Sequence, residues 1–160
     1  MNFWKDKKVL ITGGAGFVGS NLAERLVGLG AKVLIVDNLE RGLLDNIRPF
    51  LDKLEFRQQD LRDRNVCLDA CKNIEAVFHL ASKVGSMSYY LSRPAEVLSQ
   101  TLLMDANVLY AAKEGGVKYY FYASSSHVYP IDLELTPDAP PLKEDQAIPA
   151  NPALSYGWAK

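Results

Sequence analysis

The chain has 160 residues, 48% hydrophobic and 23% charged, with a formal net charge of −1. That balance fits one globular domain able to bury a sizeable core. It carries no basic footprint for nucleic acid, no apolar run long enough to cross a bilayer, and no apolar leader ahead of Val9, so a cytoplasmic address is expected. The two cysteines, Cys67 and Cys71, have no second Cys/His cluster to complete a metal site, and read as ordinary thiols of a reducing compartment.

Short apolar runs alternate with helical patterns along the chain. Val9-Leu10-Ile11 reads as a strand, and residues 17–29 as a helix with Leu22, Leu26, Val27 and Leu29 on its apolar face. Residues 32–36 form a second strand ending at Asp37; residues 44–52 suggest a short helix containing an awkward Pro49; residues 54–57 are a weaker third strand; residues 63–72 are another helix. Residues 76–80 make the fourth strand. A long helix starts at Pro94 and stops near Gly115-Gly116, and residues 119–123 make the fifth strand. Continuous apolar strands alternating with helices predict an α/β fold, a Rossmann-type doubly wound parallel sheet of order 3-2-1-4-5. Residues 129–153, with six prolines, form one long irregular stretch, more often functional than idle in a compact domain. No linker divides the chain, so residues 1–160 read as a single domain. In the long helix Val97, Leu98, Leu102, Leu103, Met104, Val108, Leu109 and Tyr110 spread around the circumference, where one stripe suffices to cover a sheet. Either the next helix covers the surplus or a partner subunit does.

The chemistry begins between the first strand and the first helix. Gly13, Gly16 and Gly19 give the spacing GxxGxxG: a tight turn, close approach of backbone to a pyrophosphate, and close packing of helix on strand. Amides around residues 13–19, including those of Phe17 and Val18, are expected to grip the phosphates at the helix N-terminus. Asp37, at the end of the second strand, suits the hydroxyls of an unphosphorylated ribose and favours NAD; nearby Arg41 is the residue that could speak for NADP. Asp60 is placed to meet the adenine amino group, or else to cap the following helix.

Together with Asp37-Asn38-Leu39, Asp60-Leu61, His79-Leu80-Ala81-Ser82, Ser124-Ser125-Ser126-His127-Val128-Tyr129 and Tyr156-Gly157-Trp158-Ala159-Lys160, the glycine loop resembles the extended short-chain dehydrogenase/reductase family. The resemblance is to its sugar-nucleotide epimerases and dehydratases; Phe121-Tyr122-Ala123-Ser124-Ser125, Tyr129-Pro130, Leu142-Lys143-Glu144 and Pro149-Ala150-Asn151-Pro152 resemble, locally, the GDP-mannose 3,5-epimerase subgroup. It implies an NAD-dependent isomerase acting on a nucleotide-sugar, as a homodimer, with Gly13, Gly16, Phe17, Val18, Gly19, Asp37, Asn38, Asp60, Leu61, Leu80, Ala81, Ser82, Tyr156 and Lys160 at the cofactor. It further implies that this chain is the front half of such an enzyme, incomplete before its last strands and without its substrate domain. Gln100 and Met104-Asp105 stand where the family often has Asn and Gly-Thr, and Ser126-His127 where dehydratases carry Asp-Glu, which weakens the dehydratase alternative.

Epimerising a sugar hydroxyl is possible through a transient ketone. Tyr156 and Lys160, four apart on one helical face, then pair a phenol with an ammonium that favours its ionised form. Ser125, just past the fifth strand, would bond the reacting oxygen. His127 is either a second acid/base or a histidine bonded to nearby backbone; His79 reads as a structural histidine. A helix cut after one turn is marginal alone, so the C-terminal turn is expected to be mobile or stabilised by a neighbour, and the aromatic fifth strand to form an exposed edge. A non-catalytic NAD-binding protein, or an NADP-dependent hydroxysteroid- or flavanol-type reductase, remains as an alternative on the same fold.

Overall fold

A computed structural model describes residues 2–133 and 138–160. Five strands, β1 (Lys8–Thr12), β2 (Lys32–Asp37), β3 (Glu55–Gln58), β4 (Ala76–His79) and β5 (Tyr119–Tyr122), form one sheet of order β3-β2-β1-β4-β5 with every pair parallel. The helices are α1 (Phe17–Gly28), α2 (Arg64–Ala70), α3 (Met87–Ser92), α4 (Pro94–Glu114) and α5 (Ser155–Ala159).

Strand side chains alternate between two faces, and the sheet splits its apolar residues accordingly. Val9, Ile11, Val33, Ile35 and Ala76 join Ala23 and Leu26 of α1 in one core. Leu10, Leu34, Val36 and Val77 join Cys67 and Ala70 of α2 and Met104, Val108 and Ala111 of α4 in the other. Both faces are therefore dry along β1 and β2, which is why those strands read as unbroken apolar runs.

The chain divides into two compact units: the first runs to Ser82 and resumes at Leu103–Tyr122, and the second comprises Lys83–Leu102 and Ala123–Lys160. The first unit holds the whole sheet; the second gathers the segments that follow β4 and β5. The expected helix over 44–52 is instead two 3-10 turns, Leu44–Asn46 and Arg48–Lys53, with Phe50 outside helical geometry. Pro49 lacks the N–H that a continuous helix needs and restricts the residue before it. The helix α3 was not legible in the pattern; Ser86 caps it by accepting the Tyr89 N–H.

Helix α4 buries Val97, Met104, Val108, Ala111 and Ala112, yet leaves Leu102, Leu103, Leu109 and Tyr110 exposed. Among the described residues strand β5 pairs only with β4. Its Tyr119 and Phe121 are about half exposed on the α1 side, beside a groove of about 330 Å³ that Trp4 and Phe78 also line. The exposed aromatic edge expected from the sequence is present.

Candidate active site

In the first unit the glycine loop joins β1 to α1. The Gly13 N–H donates to the Val36 carbonyl (2.9 Å), the Ala15 N–H to Asp37 Oδ2 (3.0 Å) and the Gly16 N–H to the Gly13 carbonyl (3.1 Å). Those amides are engaged by β2 and by the loop itself. The N–H groups of Phe17, Val18 and Gly19 make no backbone hydrogen bond among the described residues, and the N-cap, Gly16, has no side chain to satisfy them. Of the amides over 13–19, those of Gly14 and of the three donors of the first helical turn are therefore without a hydrogen bond among the described residues. Gly13 and Gly16 contribute shape. Gly13 has φ +69°, and a Cβ on it would lie 2.9 Å from the backbone of Ala81; one on Gly19 would lie 2.5 Å from the Gly13 carbonyl. The loop therefore closes against Leu80-Ala81 and against its own helix only with hydrogen at these positions.

Ala15 locks the loop to the next strand crossover. Its carbonyl accepts from the Leu43 N–H (3.0 Å) and from Asn46 Nδ2 (2.8 Å), two partners that no sequence motif signals. Asp37 is buried; Oδ2 accepts from Ala15 and Oδ1 from the Leu39 N–H (2.8 Å). Its carboxylate thus stands beside the glycine loop, with one bond made at each oxygen and capacity for a further donor at each.

Asp60 does not cap α2. Asp63 does, accepting from the Asn65 N–H. Asp60 is instead clamped: Oδ1 accepts from the N–H (2.9 Å) and Nε (2.9 Å) of Arg62, and Oδ2 from Arg62 Nη2 and Asn38 Nδ2 (3.3 Å). Arg62 holds its pKa down to about 2. Four donors fill the lone-pair sites of a carboxylate, so in this conformation an adenine amino group finds none vacant on Asp60. Leu61 is packed in the core and its carbonyl accepts from Asn107 Nδ2 (3.1 Å).

Beyond β4, Leu80 and Ala81 donate their N–H groups to Thr12 Oγ1 (both 3.2 Å). The hydroxyl accepts twice, so its own hydrogen goes to His79 Nδ1 at 2.6 Å. His79 therefore carries its proton on Nε2 and donates it to Asp105 Oδ1 (2.8 Å), while Tyr122 Oη donates to Asp105 Oδ2 (2.6 Å). His79 has no exposed surface. It is the structural histidine expected, and Asp105 is its partner. Ser82 Oγ, next in line, is buried with no partner among the described residues.

The second unit assembles the other candidates. Ser125 begins the 3-10 turn Ser126–Val128, its Oγ accepting the His127 N–H at 3.2 Å and standing 3.4 Å from His127 Nδ1. The His127 ring thus partners a side-chain hydroxyl, not backbone. Its edge also meets the Tyr156 ring, with centroids 5.8 Å apart and planes at 87°. His127 thus touches both Ser125 and Tyr156. Tyr90 is an addition, stacked on Tyr156 at 5.1 Å and 16°.

The C-terminal turn has support within its own unit, contrary to expectation. Gly157 packs on the His127 carbonyl so closely that a Cβ would lie 2.1 Å from it, Ala159 is buried, and the Lys160 carbonyl accepts from Ser124 Oγ (3.5 Å). Thr101, fully buried and next to Gln100, accepts the Lys83 N–H on Oγ1 (3.4 Å).

Cys67 and Cys71 are buried free thiols, pushed up by burial to about 12 and about 11. Among the described residues no group of His, Cys, Asp or Glu is placed to hold a metal ion, and no helix is long and apolar enough to cross a membrane. A cleft of about 610 Å³ in the first unit lies at the opposite strand ends, lined by Lys8, Lys32 and Glu55.

A parallel sheet in this order, a glycine loop opening α1 and an acidic residue ending β2 define a dinucleotide-binding protein of Rossmann type. Residues 9–160 match the NAD dependent epimerase/dehydratase family, and the chain belongs to it. It is 33% identical to GDP-mannose 3,5-epimerase 1 of Oryza sativa subsp. indica over 99% of this chain and 41% of that protein. Similarity to GDP-mannose 3,5-epimerase of Arabidopsis thaliana is also 33%, over 99% and 42%. Among solved structures, UDP-N-acetylglucosamine 4-epimerase from Methanobrevibacter ruminantium M1, in complex with UDP-N-acetylmuramic acid, superposes with a TM-score of 0.82 at 30% identity, covering 97% of this chain and 47% of that one. UDP-glucose 4-epimerase of Thermus thermophilus, in complex with NAD, gives 0.80 at 28% over 96% and 47%. The chain spans about two-fifths of the length of these curated relatives. The cofactor of the family is NAD.

Proposed function

We propose that the whole protein is an NAD-dependent nucleotide-sugar epimerase that works by transient oxidation of a sugar hydroxyl to a ketone. The observation that carries this reading is the cluster of Ser125, His127 and Tyr156 in a chain that also holds three unengaged amides at the start of α1. The amides of Phe17, Val18 and Gly19 would hold the pyrophosphate, and Asp37, with Asn38, the adenosine ribose. Leu80, Ala81 and Ser82 would line the path of the cofactor, and the hydroxyl of Ser82 would gain the partner it lacks in the protein. Asp60 and the N–H of Leu61 would lie at the adenine, with Arg62 giving way. When bound, the nicotinamide supplies a two-electron acceptor.

The remaining steps belong to the side chains. Tyr156 takes the hydroxyl proton, Lys160 stabilises its phenolate and holds the ribose hydroxyls of the nicotinamide, and Ser125 donates to the reacting oxygen. His127 exchanges a proton at a carbon beside the transient ketone. Homodimerisation through the exposed Leu102, Leu103, Leu109 and Tyr110 face of α4 and a reducing, cytoplasmic setting complete the reading; the free buried thiols fit the latter.

The test is incubation of the whole enzyme with GDP-mannose, UDP-glucose and UDP-N-acetylglucosamine in deuterated solvent. Epimer formation with deuterium uptake beside the ketone supports a 3,5-epimerase, and interconversion without uptake a 4-epimerase. No epimer from any sugar, or full turnover by Tyr156→Phe, overturns the reading. His127→Asn with unchanged turnover removes His127 from the mechanism.

A further inference from the structure

We infer that Tyr90 is a positioning residue for the candidate base Tyr156, an inference that rests on the function proposed above. Helix α5 has five residues and no side-chain cap at Leu154, so its own hydrogen bonding does little to fix a ring on its first turn. The orientation of Tyr156 must come from what touches it. Tyr90 covers one face of the ring in a near-parallel stack, 5.1 Å between centroids and 16° between planes. His127 abuts it edge-on at 5.8 Å and 87°, and abuts Tyr90 as well at 6.3 Å and 71°. Three rings thus hold one another, and two of them, His127 and Tyr156, are groups to which the reaction assigns proton transfers.

Tyr90 is itself fixed from the far end. It is 9% exposed, and its Oη accepts the Gly85 N–H at 3.2 Å. Gly85 lies against the Tyr89 ring, where a Cβ would meet ring atoms at 2.4 and 2.8 Å. The donor is therefore tied to the helix that carries the acceptor. Tyr89 in turn donates to Glu96 Oε1 (2.9 Å) at the start of α4. The stack is a rigid backing for Tyr156. It makes no contribution to proton transfer of its own, and its effect falls on how often the phenol oxygen points at the substrate.

Positioning of this kind acts on turnover and spares binding. In the NAD-loaded whole enzyme, with whichever of the three sugar nucleotides above it converts, Tyr90→Leu is expected to lower kcat by about 10- to 100-fold with KM changed by less than about twofold, since a misplacement of about 1 Å costs on that scale. Tyr90→Phe keeps the ring and loses only the Gly85 contact, and is expected to keep at least about a third of wild-type kcat because the stack persists. Wild-type kcat in the leucine variant, or a loss in KM alone, overturns the proposal. So does a phenylalanine variant as impaired as the leucine one.

A measurement on the unsubstituted protein stands in if the leucine variant does not fold. The ring protons of Tyr156, assigned by Tyr156→Phe in a tyrosine-labelled sample, should be shifted upfield by the stacked ring, and unshifted resonances overturn the proposal. Full turnover in Tyr156→Phe sinks the assignment of the base. A dead Tyr156→Phe beside a wild-type Tyr90→Leu sinks the positioning role alone.

Discussion

Replacing Asp105 tests the hydrogen-bonded chain that ties three strands to α4. Its carboxylate accepts from His79 Nε2 at 2.8 Å and from Tyr122 Oη at 2.6 Å. Asp105→Ala strands the N–H of a ring with no exposed surface, and an unsatisfied buried donor costs about 1–3 kcal/mol. Tyr122 is half-buried and can turn to water, so its loss is that of one net hydrogen bond, about 1 kcal/mol. The expected sum is about 2–4 kcal/mol of unfolding free energy. Asp105→Asn keeps one acceptor oxygen and should fall between. Urea unfolding followed by circular dichroism reads these values, with an unchanged slope showing that stability alone has moved. A cycle with Tyr122→Phe isolates the pair: coupling of about 1 kcal/mol is expected for groups in direct contact. Equal cost of Tyr122→Phe with and without Asp105, or a cost below about 0.5 kcal/mol for Asp105→Ala, would refute the reasoning, because buried donors without acceptors cannot be that cheap. Imidazole ¹⁵N shifts give an independent check, since the lone-pair count at Thr12 requires the proton of His79 on Nε2.

Tyr120 Oη is buried without a partner among the described residues, so Tyr120→Phe should leave stability unchanged or raise it by about 1 kcal/mol; a loss of that size in the same urea assay contradicts it. Asp60, held to about 2 chiefly by its side-chain bonds from Arg62, is a depressed carboxyl. Its stabilisation is complete above the unfolded value near 3.9 and is lost as pH falls through about 2. Arg62→Ala should return the midpoint of the Asp60 carboxyl, followed by ¹³C NMR, toward the ordinary range; a midpoint still near 2 would remove Arg62 as the cause. The thiols of Cys67 and Cys71, raised by burial, should resist iodoacetamide in the native protein at pH 7.5 and react at once in urea, whereas rapid native alkylation would mean that α2 opens readily.

What the sequence showed, and what it hid, divides by range along the chain. The glycine loop, β2 with its terminal Asp37 and the order of the sheet are written in contiguous stretches, where apolar runs, glycine spacing and strand-turn-helix order repeat a local physical requirement. The segment 44–53 forms two 3-10 turns in place of the expected helix because Pro49 lacks an N–H and restricts Arg48 before it. The clamp on Asp60 is local too, yet a carboxylate two residues before an arginine has no more than a statistical tendency to pair with it. Asp105 stood out only as a departure from the family pattern, and its meaning, an acceptor for a histidine 26 residues earlier, exists only once β4 and α4 are packed. The stack of Tyr90 on Tyr156 is further still from anything periodic.

Gly157 makes the same point from the side of the motif. Between Tyr156 and Lys160 it reads as a spacer, the kind of position any small residue could occupy. In the folded second unit it is where α5 meets the 3-10 turn carrying His127, and a Cβ there would lie 2.1 Å from the His127 carbonyl and 2.5 Å from Pro152. One hydrogen in place of a methyl group thus lets the helix that bears Tyr156 and ends at Lys160 rest on the turn that bears His127 and is capped by Ser125. The glycine draws the candidate acid–base groups together, by a contact between backbones that side-chain chemistry alone does not announce.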